Sequence, residues 1–210
     1  NKAETEEKLA AALKLATACA AGCGLGQDSE LLCGLLLKHC RLPLVLDADG
    51  LNYLSRHREM WGRLPPETVL TPHPGELSRL LLQDIPSIQR DRLETAKRAA
   101  EQLQRVVLLK GAGTVIAEPG GRVAINTTGN PGMAKGGSGD MLTGMIGAYL
   151  AQGMPPFEAA ATGACLHGAA GDLCAERLSQ RGMLPTDMIA ALPEVYSATH
   201  IAAPAETRMF

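Results

Sequence analysis

Short apolar runs alternate with longer amphipathic segments along this chain, the rhythm of strands and helices taken in turn. Glu4 to Thr17 sets Leu9, Ala12, Leu13 and Ala16 on one face, which predicts an amphipathic helix. Ala18 to Ala21 reads as a strand of small residues, and Gly22-Cys-Gly-Leu-Gly26 as the turn behind it. Asp28 or Ser29 then caps a helix running through Leu31, Leu32, Leu35 and Leu36. Leu42 to Leu46, Thr68 to Leu70 and Val106 to Leu109 are buried-strand candidates, with helices between them carrying Leu77, Leu80 and Leu81 and, over Arg90 to Gln104, Leu93, Ala96, Ala100 and Leu103. Continuous apolar strands alternating with helices predict an α/β fold, a mainly parallel sheet covered on both faces. Thr114 to Ala117 and Val123 to Ile125 flank a Pro119-Gly-Gly121 turn and predict a hairpin. Helices follow after Asp140, from Pro155 or Pro156 to about Leu178, and from Thr186 to Val195, where His167 and Asp172 read as surface or capping groups. His200 onward reads as a tail.

Composition narrows this picture. The 210 residues suit one α/β domain with a real core, residues 1–210. The chain opens on Asn1 and enters a helix almost at once, which predicts a piece of a longer polypeptide. A net charge of −2 without a Lys/Arg cluster argues against a nucleic-acid surface, and 3% aromatics offer no platform for stacked bases. Met141 to Met154 is too short and too glycine-rich to span a bilayer, and the N-terminus is acidic, so a soluble, cytoplasmic protein is expected. The six cysteines never form CxxC, and free thiols are expected of them.

The chemistry concentrates at Asn126 to Leu142, NTTGNPGMAKGGSGDML. Gly136, Gly137 and Gly139 leave backbone amides unshielded just where an apolar helix begins, which makes an anion site. Asp140 beside it either complements the helix dipole or takes a proton. GNPGMAKG is not a Walker loop, because Ala134 replaces its second Gly and Gly136 its Ser/Thr; GxGxxG fails at Gly111 and at Gly22.

Other candidates sit at the carboxyl ends of the predicted strands, where ligands bind in such sheets. Asp47 and Asp49 are either caps or carboxylates for magnesium, directly or through water. His73 is held between Pro72 and Pro74. Lys110-Gly-Ala-Gly-Thr114 puts a cation before small residues, suited to phosphate or nucleotide.

Taken together, GCGLG (22–26), LVLDADGLN (44–52), LTPHPGEL (70–77), LLKGAGTVI (108–116), TTGNPGMAKGGSGDMLTGMIGAYLAQG (127–153), PFEAA (156–160) and LHGAAGDL (166–173) resemble the ADP- or ATP-dependent NAD(P)H-hydrate dehydratases, relatives of the ribokinase-like small-molecule kinases. The resemblance implies a ribokinase-like three-layer αβα sandwich lacking its N-terminal β-α segment. It also implies a reaction in which the terminal phosphoryl of ADP (or ATP) turns the C6 hydroxyl of hydrated NADH or NADPH, NAD(P)HX, into a leaving group.

Carried over by position, Asp140 would be the base, and the amides of Gly137, Ser138 and Gly139 the anion hole. Lys110, Gly111, Ala112, Gly113, Thr114 and Gly139 would bind the nucleotide, and Gly26, His73 and Asp140 the hydrated dinucleotide. Mg2+ would be held by the phosphates, with Asp47 or Asp49 helping through water. Family grounds favour ADP as donor, a homotetramer, and an epimerase domain before Asn1 in bifunctional relatives. Lys135 stands where the family often has a small hydroxyl residue, adding a cation to the loop, and Leu184-Pro185-Thr186 replaces a small-residue approach to the last helix. Two other readings share the glycine loop: a ribokinase-like kinase for a small alcohol, and an adenine-nucleotide-binding module without turnover.

Overall fold

The computed structural model describes residues 2–198. Six strands form one sheet in sequence order: β1 (Cys19–Ala21), β2 (Leu44–Leu46), β3 (Thr68–Leu70), β4 (Val106–Leu109), β5 (Val115–Ala117) and β6 (Val123–Ile125). The first four are parallel, and β4, β5 and β6 run antiparallel as the hairpin pattern predicts. Among the described residues no strand lies outside β1.

Alternation along each strand divides the core in two. Leu44, Leu46, Val107 and Leu109 pack with α2 (Ser29–His39), α3 (Asp49–Arg56), α4 (Pro74–Leu81) and α6 (Arg92–Leu103). Val45, Val106, Leu108 and Ile116 face the opposite way, onto α7 (Ser138–Ala151), α8 (Pro156–Gly182) and α9 (Pro185–Ala198). The helices between parallel strands must return on one side, so the three that follow the hairpin cover the other. The result is the expected three layers.

Local differences have local causes. The first helix, α1 (Lys2–Leu15), buries no residue. Leu9 and Leu13 pack against the first core, but Ala12, expected on that face, is exposed. A short helical turn over Gly26–Asp28 already leads into α2, so Asp28 has helical backbone angles and its side chain makes no cap. The helix α3 follows Asp47 directly, with Asp49 in its first turn, and places Leu51, Tyr53 and Leu54 inward. The helix expected from Arg90 starts at Arg92, because Asp91 leaves the helical region at φ −142°, ψ 73° and caps it by accepting from Glu94 N, closing the separate helix α5 (Ile85–Arg90). His200 and the expected tail lie outside the described residues. All six cysteines are free, three of them buried, while Cys165 is exposed. Among the described residues no helix is long and apolar enough to cross a membrane.

Candidate active site

The parallel strands bring four loops to one edge: 22–26, 47–49, 71–76 and 110–114. The glycine loop descends on that edge from the hairpin and starts α7 there. Gly137 precedes the helix at φ 92°, in the left-handed region that favours glycine. Met141 N donates to Gly137 O, and Ser138 N donates to Lys135 O at 3.3 Å. The Ser138 amide is therefore already engaged, whereas those of Gly137 and Gly139 have no acceptor among the described residues. Two open donors at a helix start still make an anion seat.

Beside it lies a cleft of about 990 Å³, walled by residues 110–114, the glycine loop and the middle of α8. Lys110, Gly111, Ala112, Gly113 and Thr114 all line it, with Ser138 and Gly139. Thr114 shapes its loop by donating to Gly111 O at 2.9 Å. Underneath, Arg92 donates to Leu109 O at 3.0 Å and Lys110 O at 3.3 Å, a support that sequence gave no sign of. The far wall is fastened to α8: Asp172 accepts from Gly129 N at 2.8 Å and Asn130 Nδ2 at 2.9 Å, and Thr128 donates to Cys165 O at 2.8 Å. That approach needs Gly168, where a Cβ would stand 2.1 Å from Thr128 Oγ1. Asp172 thus holds the loop rather than merely facing solvent. His167 is buried, not on the surface, and Nε2 lies 3.3 Å from Ser138 Oγ.

Asp140 is exposed and does not line the cleft. The Gly22–Gly26 turn lies near it, and the Cys23 thiol there is within the influence of Asp140, Thr143 and Asp47. Burial first, then the charge of Asp47, pushes that thiol up to about 11. The turn is pinned by Asp49, whose Oδ2 accepts Gly26 N at 2.9 Å and whose own amide donates to Gly22 O at 3.1 Å. Asp140 nonetheless shares the first turn of α7 with Ser138 and Gly139 of the cleft wall.

Asp47 is 2% exposed. Its Oδ1 accepts from Lys110 Nζ at 2.6 Å and Ala48 N at 2.8 Å, and its Oδ2 from Thr143 Oγ1 at 3.1 Å. Between the two aspartates Ala48 holds φ 47°, a strained conformation for a residue with a side chain. Among the described residues no three His, Cys, Asp or Glu groups gather around one point. A protein-held metal cage does not fit these residues, but Asp47 and Asp49 keep carboxylate lone pairs beyond the bonds just described, which could hold a magnesium water.

His73 lines the cleft together with Lys110. Its Nδ1 accepts from Gly75 N at 3.0 Å and Glu76 N at 3.4 Å, while Glu76 Oε2 accepts His73 N at 2.7 Å, a reciprocal cap on α4. Glu76, unremarked in the sequence, is buried with its Oε2 3.8 Å from Lys110 Nζ. Lys135 lines the cleft, and its Nζ is held by donating to the carbonyls of Gln180, Arg181 and Met183 at the end of α8. Pro185 of the Leu184-Pro185-Thr186 segment lies against Gly137, 3.5 Å from where a Cβ would be.

A sequence profile described as NAD(P)H-hydrate dehydratase matches residues 1–194. The chain belongs to that family. It is 51% identical over 179 residues to the bifunctional NAD(P)H-hydrate repair enzyme Nnr of Moorella thermoacetica, a match covering 84% of this chain and 34% of that one. It is 44% identical over 160 residues to the ADP-dependent (S)-NAD(P)H-hydrate dehydratase of Neisseria meningitidis, covering 74% and 54%. The chain thus spans about a third of the bifunctional relative's length and about half of the dehydratase's. Among solved structures, the ADP/ATP-dependent NAD(P)H-hydrate dehydratase of Bacillus subtilis, co-crystallised with ATP/Mg2+ and soaked with CoA, superposes with a TM-score of 0.77 at 35% identity, covering 92% of this chain and 71% of that one. In this dehydratase family member the glycine loop, the lysine loop and Asp140 fall around one helix start.

Proposed function

We propose that this chain dehydrates NAD(P)HX to NADH or NADPH with ADP as phosphoryl donor. The observation that carries this reading is that Ser138, Gly139 and Asp140 share the first turn of α7, with Ser138 and Gly139 lining the cleft. A nucleotide in the cleft would present its terminal phosphoryl to the amides of Gly137 and Gly139, with the 110–114 loop holding its body. A hydroxyl arriving from the side of the Gly22–Gly26 turn would meet Asp140 first. Gly26, its amide taken by Asp49, would offer its carbonyl, and His73 would reach the substrate across the cleft rim.

Asp140 takes the proton of the C6 hydroxyl as that oxygen attacks the terminal phosphorus, and AMP leaves. The ring nitrogen then expels phosphate from C6, and loss of the C5 proton restores the double bond. The amides stabilise the charge on the group in transit, each donor worth about 3 kcal/mol. Magnesium carried on the phosphates would supply further neutralisation. The small-alcohol kinase needs the same parts, but relatives named for hydrate repair favour dehydration. We also assign residues 1–210 to one dehydratase domain of a longer cytoplasmic polypeptide with an epimerase domain, assembled as a homotetramer; the bifunctional names of the relatives support the second domain.

Recovery of reduced-nicotinamide absorbance from hydrated NADH, with ADP or ATP and magnesium, tests the reading. Nucleotide-dependent recovery is expected, faster with ADP. Phosphorylated product accumulating without dehydration would favour the kinase, and ADP binding without turnover the binding module.

A further inference from the structure

We propose that Asp47 is a positioning residue that fixes the Lys110 ammonium against the first turn of α7, so that Lys110 acts on the phosphoryl group in transit rather than on the body of the nucleotide. The inference rests on the dehydratase reading above and adds to it a part for a buried carboxylate and its lysine.

The lysine stem is long and flexible, and a cation that merely attracts phosphate needs no fixed position. Lys110 has one. Its Nζ is 2.6 Å from Asp47 Oδ1 and 3.8 Å from Glu76 Oε2, two carboxylates that are themselves buried. Asp47 is locked in turn, because Ala48 N reaches Oδ1 and the Thr143 hydroxyl reaches Oδ2. Thr143 sits one turn beyond Gly139 on α7, so the helix that offers the amides also orients the carboxylate. A Cβ built on Gly139 would stand 3.5 Å from Asp47 Oδ2 and 3.7 Å from Lys110 Nζ. The ammonium, the carboxylate and the amide end of the helix therefore converge on one spot at the cleft's inner limit.

That spot is where charge appears in the reaction. The C6 oxygen forms a bond to the terminal phosphorus as Asp140 removes its proton. The bond from that phosphorus to the bridging oxygen breaks, and the electron pair stays on the AMP leaving group. A fixed ammonium beside that oxygen stabilises the charge without reorganising. A lysine used only for holding nucleotide would act equally before and during transfer.

The test separates turnover from binding. Values of kcat at saturating ADP and hydrated NADH, and ADP Kd by calorimetry, are compared for wild type, Lys110→Met, Lys110→Arg, Asp47→Asn and Thr143→Val. In Lys110→Met kcat should fall about 100-fold while ADP Kd stays within about fivefold. Lys110→Arg should recover part of kcat. Thr143→Val keeps every charge and should lower kcat about tenfold with Kd unchanged. If Asp47→Asn fails to fold, Thr143→Val decides the positioning claim. A Lys110→Met protein with full kcat and weakened ADP binding would overturn the proposal, as would wild-type kcat in Thr143→Val. A wild type that never recovers NADH sinks the dehydratase reading itself and this proposal with it, whereas an active wild type with unaffected variants sinks only the inference.

Discussion

Nε2 of His167 lies 3.3 Å from the Ser138 hydroxyl, fastening the buried middle of α8 to the first turn of α7 beneath the cleft. Burial holds this imidazole down to about 4 against an ordinary value of 6.5. Between those values the unfolded chain binds the proton that the folded chain refuses. Stability should therefore fall as pH drops from 6.5 and level off below about 4, by roughly 3 kcal/mol in all. Urea midpoints across that range should slope less in His167→Gln than in wild type. Equal slopes would show that His167 does not carry the effect.

Asp140 is exposed in the first turn of α7, next to Gly139 of the cleft wall. Asp140→Asn should lower turnover of hydrated NADH by about 100-fold or more while melting temperature and ADP binding hold. Retained turnover would remove Asp140 from the role of base.

Gly168 lets the cleft wall lie on α8, and the Cβ of an alanine there would meet Thr128 Oγ1 at 2.1 Å and its carbonyl carbon at 2.7 Å. Gly168→Ala should destabilise by about 1–3 kcal/mol and weaken ADP binding together, since the same loop is displaced. By contrast, Gly144 in the exposed middle of α7 has open space around it. Gly144→Ala should stabilise by about 0.5–1 kcal/mol without touching kcat. Thermal unfolding of the two variants, with calorimetric ADP titration, checks both signs.

His73 closes the N-terminus of α4 through Nδ1. His73→Ala should cost about 1 kcal/mol in chemical denaturation, while His73→Asn, which can cap, should keep most of it. If His73 also meets the substrate, His73→Asn will raise KM for hydrated NADH despite its intact stability. An unchanged KM would leave His73 with the cap alone.

Sequence determined the layers and most of the strands, because continuous apolar runs such as Leu44–Leu46 fit only a sheet buried on both faces. It also marked the glycine loop, Lys110 to Thr114 and Asp140, since those residue types serve few purposes at a strand end or helix start. What it left open were the uses of polar side chains whose partners are far away in the chain. Asp47 and Lys110 are 63 positions apart, Asp47 and Thr143 96, and Gly129 and Asp172 43. No local periodicity records such pairs. His167 reads as a surface group until folding buries it beneath α7, and the carbonyls ending α8 that hold Lys135 are equally remote from it in the chain. Local pattern fixes which backbone forms where, through short-range sterics and burial. Only the packed sheet and its helices decided which charges and hydrogen-bond donors meet, because that depends on distances between segments that sequence alone does not order in space.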